Sequence, residues 1–163
     1  MIYKICGADG AVFSDDMKYR YELWRGNSGS GTLAMVMLNP SIGTECVNSK
    51  TLDICLGIMK SLKYSRLVIG NLFAYRSQNP DVLYKVPNPV GVDNNAYLSR
   101  IAKEGDMLIY AWGNHGALNG HRCKEVINLL SAYHPKCLGL TSLEQPRHPL
   151  SYKSHMHIVD FCA

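Results

Sequence analysis

Long apolar segments are absent from the sequence, and their absence limits where the protein can work. Residues 1–10 lack the extended apolar core of a signal peptide, and no apolar run approaches the roughly 20 residues that cross a bilayer. The 6 cysteines form no CxxC pair and are spread along the chain, which is typical of buried thiols in a reducing compartment and not of a disulfide framework. We therefore expect a cytoplasmic protein with no membrane partner.

The sequence also lacks the short motifs that mark several classes of enzyme. It contains no Walker loop, GxGxxG, HExxH, GxSxG or EF-hand loop. His155 and His157 have the chemistry of metal ligands, but no third histidine or cysteine lies at ligand spacing, so we expect surface histidines and no metal site. Cys46 could act as a nucleophile, but no feature of the sequence activates its thiol, and a structural role is favoured. We expect no cofactor.

The composition is that of one globular domain. The chain has 163 residues, of which 47% are apolar and 18% charged, as in an ordinary folded protein. The net charge of +4 permits a nucleic-acid partner without arguing for one. We predict a single α/β domain over 1–163, with a β-hairpin or edge strand in 1–30, a core in 31–151 and a tail in 152–163.

Four apolar segments separated by helical patterns form the predicted core. The first, Leu33–Leu38, runs without a charge and stops at Asn39-Pro40-Ser41, as expected for a strand buried on both faces. The other predicted strands are 66–70, 107–111 and 137–140, and the predicted helices are 51–63 (capped by Thr51), 93–105 and 116–133. This alternation predicts a three-layer sandwich around a mostly parallel central sheet of about four strands.

Polar residues follow the predicted strands, and the carboxyl ends of parallel strands meet at one edge of a sheet. Asn39 offers an amide that can hold a water or the polar edge of a substrate, and His148 could donate to a developing oxyanion. Asn71 ends the second strand, close to aromatic side chains that could stack on a base. The remaining candidate binding residues are Pro40, Ser41, Phe73, Tyr75, Arg76, Trp112 and Gly113.

Each of these residues also has a purely structural interpretation. Asn39-Pro40-Ser41 is an ordinary turn sequence, an aromatic residue at a strand end can cap the core, and a histidine in a loop is often incidental. Their predicted position on one rim of the sheet is what favours a binding site. That position depends on the predicted topology.

Five sequence blocks in a fixed order resemble a known family. The blocks are MLNPS (37–41), NLFAYRSQNPDVL (71–83), PVGVDNNAYL (89–98), YAWG (110–113) and LGLTSLEQPRHPL (138–150). Together they resemble the uncharacterised family called domain of unknown function 1643, from Trp24 to Ser151. The name of that family carries no activity, so this resemblance implies no function by itself.

A more distant resemblance implies a function. MLNPS is similar to the first motif of the mismatch-specific and single-strand-selective uracil-DNA glycosylases, and RHPLS resembles the second motif of their superfamily. NLFAYRSQNP is similar to the glycosylase stretch in which an asparagine at a strand end precedes a loop with Arg and Pro. YAWG resembles the strand that precedes the final helix of those enzymes. The resemblance implies a uracil-DNA-glycosylase-like fold, in which Asn39 would position the hydrolytic water and His148 would stabilise the departing base. Asn71 would read a flipped base, on which Phe73 or Tyr75 would stack.

The sequence departs from both families at the candidate site. Ser41 stands where the glycosylases have glycine, and Asn48 and Ser49 stand where the uncharacterised family has an acidic pair. Glu45 is the one strong base close to Asn39 in the sequence. Two functions therefore remain open: a nucleobase- or nucleotide-binding protein that hydrolyses an N-glycosidic bond in DNA or in a nucleotide, and a non-catalytic nucleic-acid or nucleotide-binding module. A purely structural protein is a third.

Overall fold

The computed structural model describes residues 1–27, 29–41, 46–153 and 156–162. Within these residues, eight strands form one mixed sheet, and three α-helices pack on its faces. The strands are β1 (Ile2–Cys6), β2 (Asp9–Phe13), β3 (Arg20–Gly26), β4 (Thr32–Met37), β5 (Arg66–Asn71), β6 (Met107–Tyr110), β7 (Lys136–Cys137) and β8 (Val159–Asp160). The helices are α1 (Lys50–Ser61), α2 (Asn94–Glu104) and α3 (Gly120–Leu130).

The sheet has a parallel centre with antiparallel strands on both sides. Its order is β1-β2-β3-β5-β4-β6-β7-β8. Neighbours within β5-β4-β6-β7 are parallel, and the other neighbouring strands are antiparallel. The prediction of a mostly parallel central sheet of about four strands, with a uracil-DNA-glycosylase-like arrangement, is therefore wrong.

The error lies mainly in the N-terminal residues, which add three strands to the main sheet. β3 pairs antiparallel with β5, with Leu23 opposite Ile69. Without β3, β5 would be an edge strand with exposed backbone N–H and C=O groups, and β3 pairs with these groups. Arg20 and Glu22 of β3 are buried although they are charged. Such a strand lacks the continuous apolar run by which a buried central strand is recognised in a sequence.

Alternation along the central strands divides the core into two layers. Leu33, Met35 and Met37 of β4 pack with α1 on one face of the sheet. Ala34 and Val36 pack with α2 and α3 on the other face. The position of a residue along β4, odd or even, therefore decides which layer its side chain meets.

The helices begin and end near their predicted limits, with two differences. Ser49 caps α1 in place of Thr51, since the Ser49 Oγ accepts a hydrogen bond from the Leu52 N–H at 3.2 Å and the Ser49 carbonyl accepts one from the Asp53 N–H at 3.0 Å. Serine is among the residues that cap helices best. The predicted helix 116–133 consists of α3 flanked by 3₁₀ turns.

The C-terminal residues continue the sheet. β8 pairs antiparallel with β7, with Val159 opposite Cys137, and Phe161 packs against the core on the α2–α3 face. His157 is exposed, and His155 lies outside the described residues. Among the residues described, no helix has the length and apolar character that crossing a membrane requires.

Replacing Ser49 by alanine is expected to lower the free energy of unfolding by about 1 kcal/mol, because α1 loses its cap. Ser49→Asp keeps an acceptor at the cap and is expected to recover most of that loss. Thr51→Ala is the matched control, with an expected change within about 0.5 kcal/mol. Urea denaturation followed by circular dichroism measures all three. An equal loss in Thr51→Ala would contradict the assignment of the cap to Ser49.

Candidate functional site

A cavity of about 200 Å³ lies where β4 and β5 end. It is smaller than the roughly 300–1,000 Å³ of sites for drug-sized ligands, so it encloses a small group. Its apolar wall includes Leu23, Met37, Leu52 and Ile69. Its polar side chains include Arg20, Asn39, Ser49, Thr51, Asn71 and His148.

The register of two parallel strands brings the predicted residues to this cavity. Met37 and Asn71 are opposite each other in the pair β4–β5, and Asn39 follows Met37 by two residues. Since side chains alternate along a strand, all three lie on the face that α1 covers. The structure thus brings together four of the predicted site residues, Asn39, Ser41, Asn71 and His148, which all line this cavity.

The side chain of Asn39 has one polar atom available to a ligand. Its Nδ2 donates to the carbonyl oxygen of Pro40 at 3.2 Å and to that of Ser77 at 2.9 Å. Because both partners are carbonyl oxygens, they determine which end of the amide is the NH₂ group. Oδ1 is therefore the atom that can accept a hydrogen bond from a water or a substrate. Pro40 itself is buried and contributes only its backbone carbonyl to these contacts.

Asn71 carries a buried donor that has no partner among the described residues. The residue is 2% exposed, and its Nδ2 makes no hydrogen bond. An unsatisfied buried donor costs roughly 1–3 kcal/mol, and native proteins contain few of them. A ligand oxygen placed in the cavity would satisfy this amide.

The backbone of Asn71 is held from the opposite face of the sheet by Asn94 and Arg122, which we call the clamp. Asn94 Nδ2 donates to the carbonyl oxygens of Asn71 and Leu72, both at 3.0 Å. Arg122 Nε donates to the Leu72 carbonyl oxygen at 2.7 Å. Both clamp residues are buried. They belong to α2 and α3, so no local sequence pattern marked them as part of the site.

His148 offers a hydrogen-bond donor whose tautomer is determined by its surroundings. Its Nδ1 accepts the Leu150 N–H at 3.2 Å, which leaves the proton of the neutral ring on Nε2. Burial, and to a smaller extent repulsion by His115, lowers the pKa of His148. The ring is therefore neutral near about pH 7. It can donate a hydrogen bond from Nε2 while carrying no charge.

Gly113 makes room for His148. Its φ is +72°, and a Cβ added at this position would lie 3.2 Å from the Cβ of His148. The Gly113 N–H donates to the Pro146 carbonyl oxygen at 2.8 Å, which holds the segment before His148 next to the end of β6. Gly113 is predicted as a binding residue. In the structure it supports His148 from outside the cavity lining.

Five other predicted binding residues also lie outside the lining of the cavity: Pro40, Phe73, Tyr75, Arg76 and Trp112. Phe73 and Trp112 are 2% and 1% exposed and belong to the core on the α2–α3 face, and Tyr75 packs at the edge of that core. Arg76 lies over the ring of Phe13, with its guanidinium 5.0 Å from the ring centroid. Large aromatic side chains gain most by burial in a core. Their positions give no support to the predicted stacking on a base.

The cavity also contains residues that the sequence patterns did not single out for binding. Arg20 is 7% exposed, and burial together with the nearby Arg76 and Arg25 lowers its pKa to about 10. It remains a cation at neutral pH. Ser49 and Thr51 line the cavity because α1 begins beside it. No local sequence pattern could have identified Arg20, because Glu22 and Arg25 also give β3 charged residues.

In the part of the chain that the structure describes, no aspartate or glutamate lines the cavity. Glu45, the acid closest to Asn39 in the sequence, lies outside the described residues. The described ranges also contain no cluster of three or more His, Cys, Asp or Glu side chains that could hold a metal ion. Among the described residues, the lining thus supplies hydrogen-bond donors, the acceptor Oδ1 of Asn39, the guanidinium of Arg20 and the neutral imidazole of His148.

Comparison with protein families identifies a family described as "Protein of unknown function (DUF1643)", whose profile matches residues 20–150. This range contains every cavity residue named above. Comparisons with curated proteins and with solved structures find no match. The distant resemblance to uracil-DNA glycosylases therefore depends on short motifs alone.

Replacing Gly113 by alanine is expected to lower the free energy of unfolding by about 1 kcal/mol or more, because the backbone is in the left-handed region and the new Cβ meets His148. Gly57→Ala in α1 is the control, since a Cβ there meets no atom within 4 Å. Gly57→Ala is expected to raise the free energy of unfolding by about 0.5–1 kcal/mol, because alanine favours a helix more than glycine does. Thermal unfolding and the NMR shifts of the His148 ring measure both effects. Unchanged stability in Gly113→Ala would contradict this assignment.

Acid is expected to destabilise the fold partly through His148. Its pKa is lowered in the folded protein, so the unfolded chain takes up the proton more readily. The stability due to the neutral ring is complete above about pH 6.5 and is lost as the pH falls through the folded-state pKa. His148→Asn keeps an acceptor for the Leu150 N–H and cannot titrate. Urea denaturation between about pH 5 and 7.5 should show a shallower pH dependence in the variant, and parallel curves would refute the prediction.

Proposed function

The chain belongs to the DUF1643 family, and we propose that it binds a nucleobase-containing ligand in the cavity and hydrolyses its N-glycosidic bond. The observation that carries the proposal is the pair of available atoms on Asn39 and His148. Oδ1 of Asn39 can only accept a hydrogen bond, Nε2 of His148 can donate one, and both residues line the same cavity. Hydrolysis of this bond needs a held water and a stabilised leaving base.

The two residues divide the reaction between them. Asn39 Oδ1 holds a water molecule for attack on the anomeric carbon of the sugar. The carbon–nitrogen bond breaks, and its electron pair leaves with the base. The Nε2–H of His148 donates a hydrogen bond to the negative charge that develops on the base. The water gives its hydroxyl group to the sugar and its proton to the base. A preorganised hydrogen-bond donor such as the Nε2–H of His148 contributes about 10²–10³-fold in rate.

The shape of the cavity suits a single base. Met37, Leu52 and Ile69 give it apolar sides against which a flat ring can pack. A volume of about 200 Å³ cannot admit a double helix. A base within DNA would therefore have to leave the stack to enter, as in other enzymes that act on bases. The base of a free nucleotide would enter the same cavity without the free-energy cost of unstacking.

Binding without turnover is the second candidate function. It is favoured by the absence of a carboxylate from the described lining of the cavity. Asn48 and Ser49, which stand where the sequence resemblance expects an acidic pair, have structural contacts. Asn48 Oδ1 accepts a hydrogen bond from Arg25 Nε at 3.0 Å, and Ser49 caps α1. Such a module would bind the same ligands and release no base.

We further infer that the protein works in the cytoplasm. Burial raises the pKa of the Cys55 thiol to about 12 and raises the pKa of Cys137 as well. Thiols of this kind are unreactive and serve as small apolar core residues. Their use in the core is in keeping with a reducing compartment.

Release of free base tests the proposed reaction. The substrates are oligonucleotides that contain uracil, mismatched or modified bases, together with nucleoside monophosphates, and chromatography detects the product. We expect release from at least one substrate. Asn39→Ala and His148→Asn should each reduce the rate by about 10²–10³-fold. Gly57→Ala, which lies outside the cavity, should keep the wild-type rate.

The outcomes separate the two candidate functions. Binding of a substrate with no release of base supports the binding module and rejects hydrolysis. If none of these ligands binds and no base is released, both functions are rejected. Thermal unfolding of each variant establishes that a lost activity does not reflect a lost fold.

A further inference from the structure

We propose that β1 is an interaction surface at which two copies of the chain pair their β1 strands antiparallel, about a two-fold axis at Ile5. The two sheets then continue into each other. No residue of β1 lines the cavity, so the proposal is independent of the proposed function. Three observations carry it, which are the outward backbone groups of β1, its exposed apolar side chains and its distribution of charge.

The outer side of β1 carries backbone groups that pair with no strand. β1 is the first strand in the sheet order, and among the described residues it pairs only with β2. A two-residue turn joins the two strands, so Cys6 and Asp9 exchange hydrogen bonds across the hairpin. Hydrogen-bonded pairs alternate along antiparallel strands, so the backbone groups of Lys4 also point to β2. Those of Tyr3 and Ile5 therefore point away from the sheet.

The same strand exposes apolar side chains. Ile2 packs in the core on the α1 face, so Tyr3 and Ile5 lie on the α2–α3 face, where they are 56% and 69% exposed. Ile5 is opposite Gly10. The indole of Trp24 lies over Gly10, since a Cβ added there would be 2.2 Å from a ring carbon. An apolar edge strand with outward N–H and C=O groups is a template for pairing with another strand.

A second copy of the chain supplies a complementary edge. A strand related by a two-fold axis presents the same backbone groups in the reverse direction, as antiparallel pairing requires. With the axis at Ile5, the two Ile5 residues form a hydrogen-bonded pair, and their side chains bury each other beside the two Trp24 rings. Tyr3 is then opposite Gly7 of the second copy. The most exposed apolar side chain of β1 thus lies at the centre of the interface.

The distribution of charge favours this register over one centred on Lys4. An axis at Lys4 would place two ammonium groups directly opposite each other, which destabilises a sheet. With the axis at Ile5, Lys4 is opposite Cys6 of the second copy, and Asp9 is the neighbour of Cys6 across the hairpin. The long side chain of Lys4 can extend over the small Cys6 towards the Asp9 carboxylate. That carboxylate is only partly buried, although Arg25 lies 3.6 Å from it.

The opposite edge of the sheet is a poor partner for β1. β8 has only two residues, and its Asp160 forms an ion pair with Lys136 of β7. Short strands and charged side chains are the devices by which proteins protect a sheet edge. Pairing of β1 with β8 of another copy would also be head-to-tail and would extend into a filament. Pairing of β1 with itself closes after two copies.

Sedimentation velocity of the full chain tests the proposal. The interface consists of one short strand from each copy and is smaller than the roughly 1,200 Å² of a standard interface, so we expect a weak dimer. The dimer fraction should rise with concentration between about 1 μM and about 1 mM. Monomer at every concentration overturns the proposal and leaves the edge to a strand of another protein. Growth beyond the dimer overturns the two-fold pairing.

Variants at the two edges of the sheet locate the interface. Ile5→Lys should raise the dissociation constant at least about tenfold, because both copies lose an apolar contact and gain opposed like charges. Val159→Lys in β8 is the matched control, since Val159 is also exposed, and it should leave the constant unchanged. Thermal unfolding checks that both variants fold, as expected for exposed positions. An unchanged constant in Ile5→Lys, or an equal rise in Val159→Lys, overturns the proposal.

Cross-linking determines the register of the two strands. In a Cys6→Ser background, Ile5→Cys places two thiols opposite each other with Cα atoms about 5.5 Å apart, which is within disulfide range. Oxidised glutathione should then convert most of the chain to a covalent dimer. Cys6→Ser alone measures the contribution of the other thiols, and Tyr3→Cys in that background should add little to it. A covalent dimer from Lys4→Cys and not from Ile5→Cys overturns the axis at Ile5.

Discussion

The parallel register between β4 and β5 is the constraint on which the rest of the site depends. With Met37 opposite Asn71, the residues that end both strands project to the α1 face. If one strand shifted by one residue relative to the other, the amide of either Asn39 or Asn71 would point into the opposite layer of the core. The register is secured by the apolar side chains of both strands, which pack into separate cores above and below the sheet. Packing that stabilises the fold thus also aligns the polar groups at its edge.

The side chains of Asn39 and His148 share a second property, which is that each has part of its hydrogen-bonding capacity already used within the protein. Asn39 uses its NH₂ group on two carbonyl oxygens, and His148 uses Nδ1 on a backbone N–H. The backbone of Asn71 is held by the clamp, while its amide stays unpaired among the described residues. Groups fixed in this way lose little conformational entropy when a ligand arrives. The site is organised before anything binds.

Sequence reasoning found the residues whose position depends on local patterns. Asn39 and Asn71 each follow a continuous apolar run, and such a run predicts its own strand and its own end. The strands that flank the parallel centre have no such run, so the extent and direction of the sheet were predicted wrongly. Arg122 contacts Leu72, 50 residues away, and no local pattern encodes such a contact. The sequence also does not show on which face of the sheet the side chain of Phe73 packs after the end of β5.

The clamp has a consequence for how sequences of this fold can vary. Asn94 and Arg122 lie on the face of the sheet opposite the cavity, yet they hold the carbonyl groups of Asn71 and Leu72. Changes at these two positions are therefore expected to disturb the cavity as well as the packing of the core. The block PVGVDNNAYL includes Asn94. The block contributes nothing to the lining of the cavity, so a change at Asn94 would reach the cavity only through the backbone of β5.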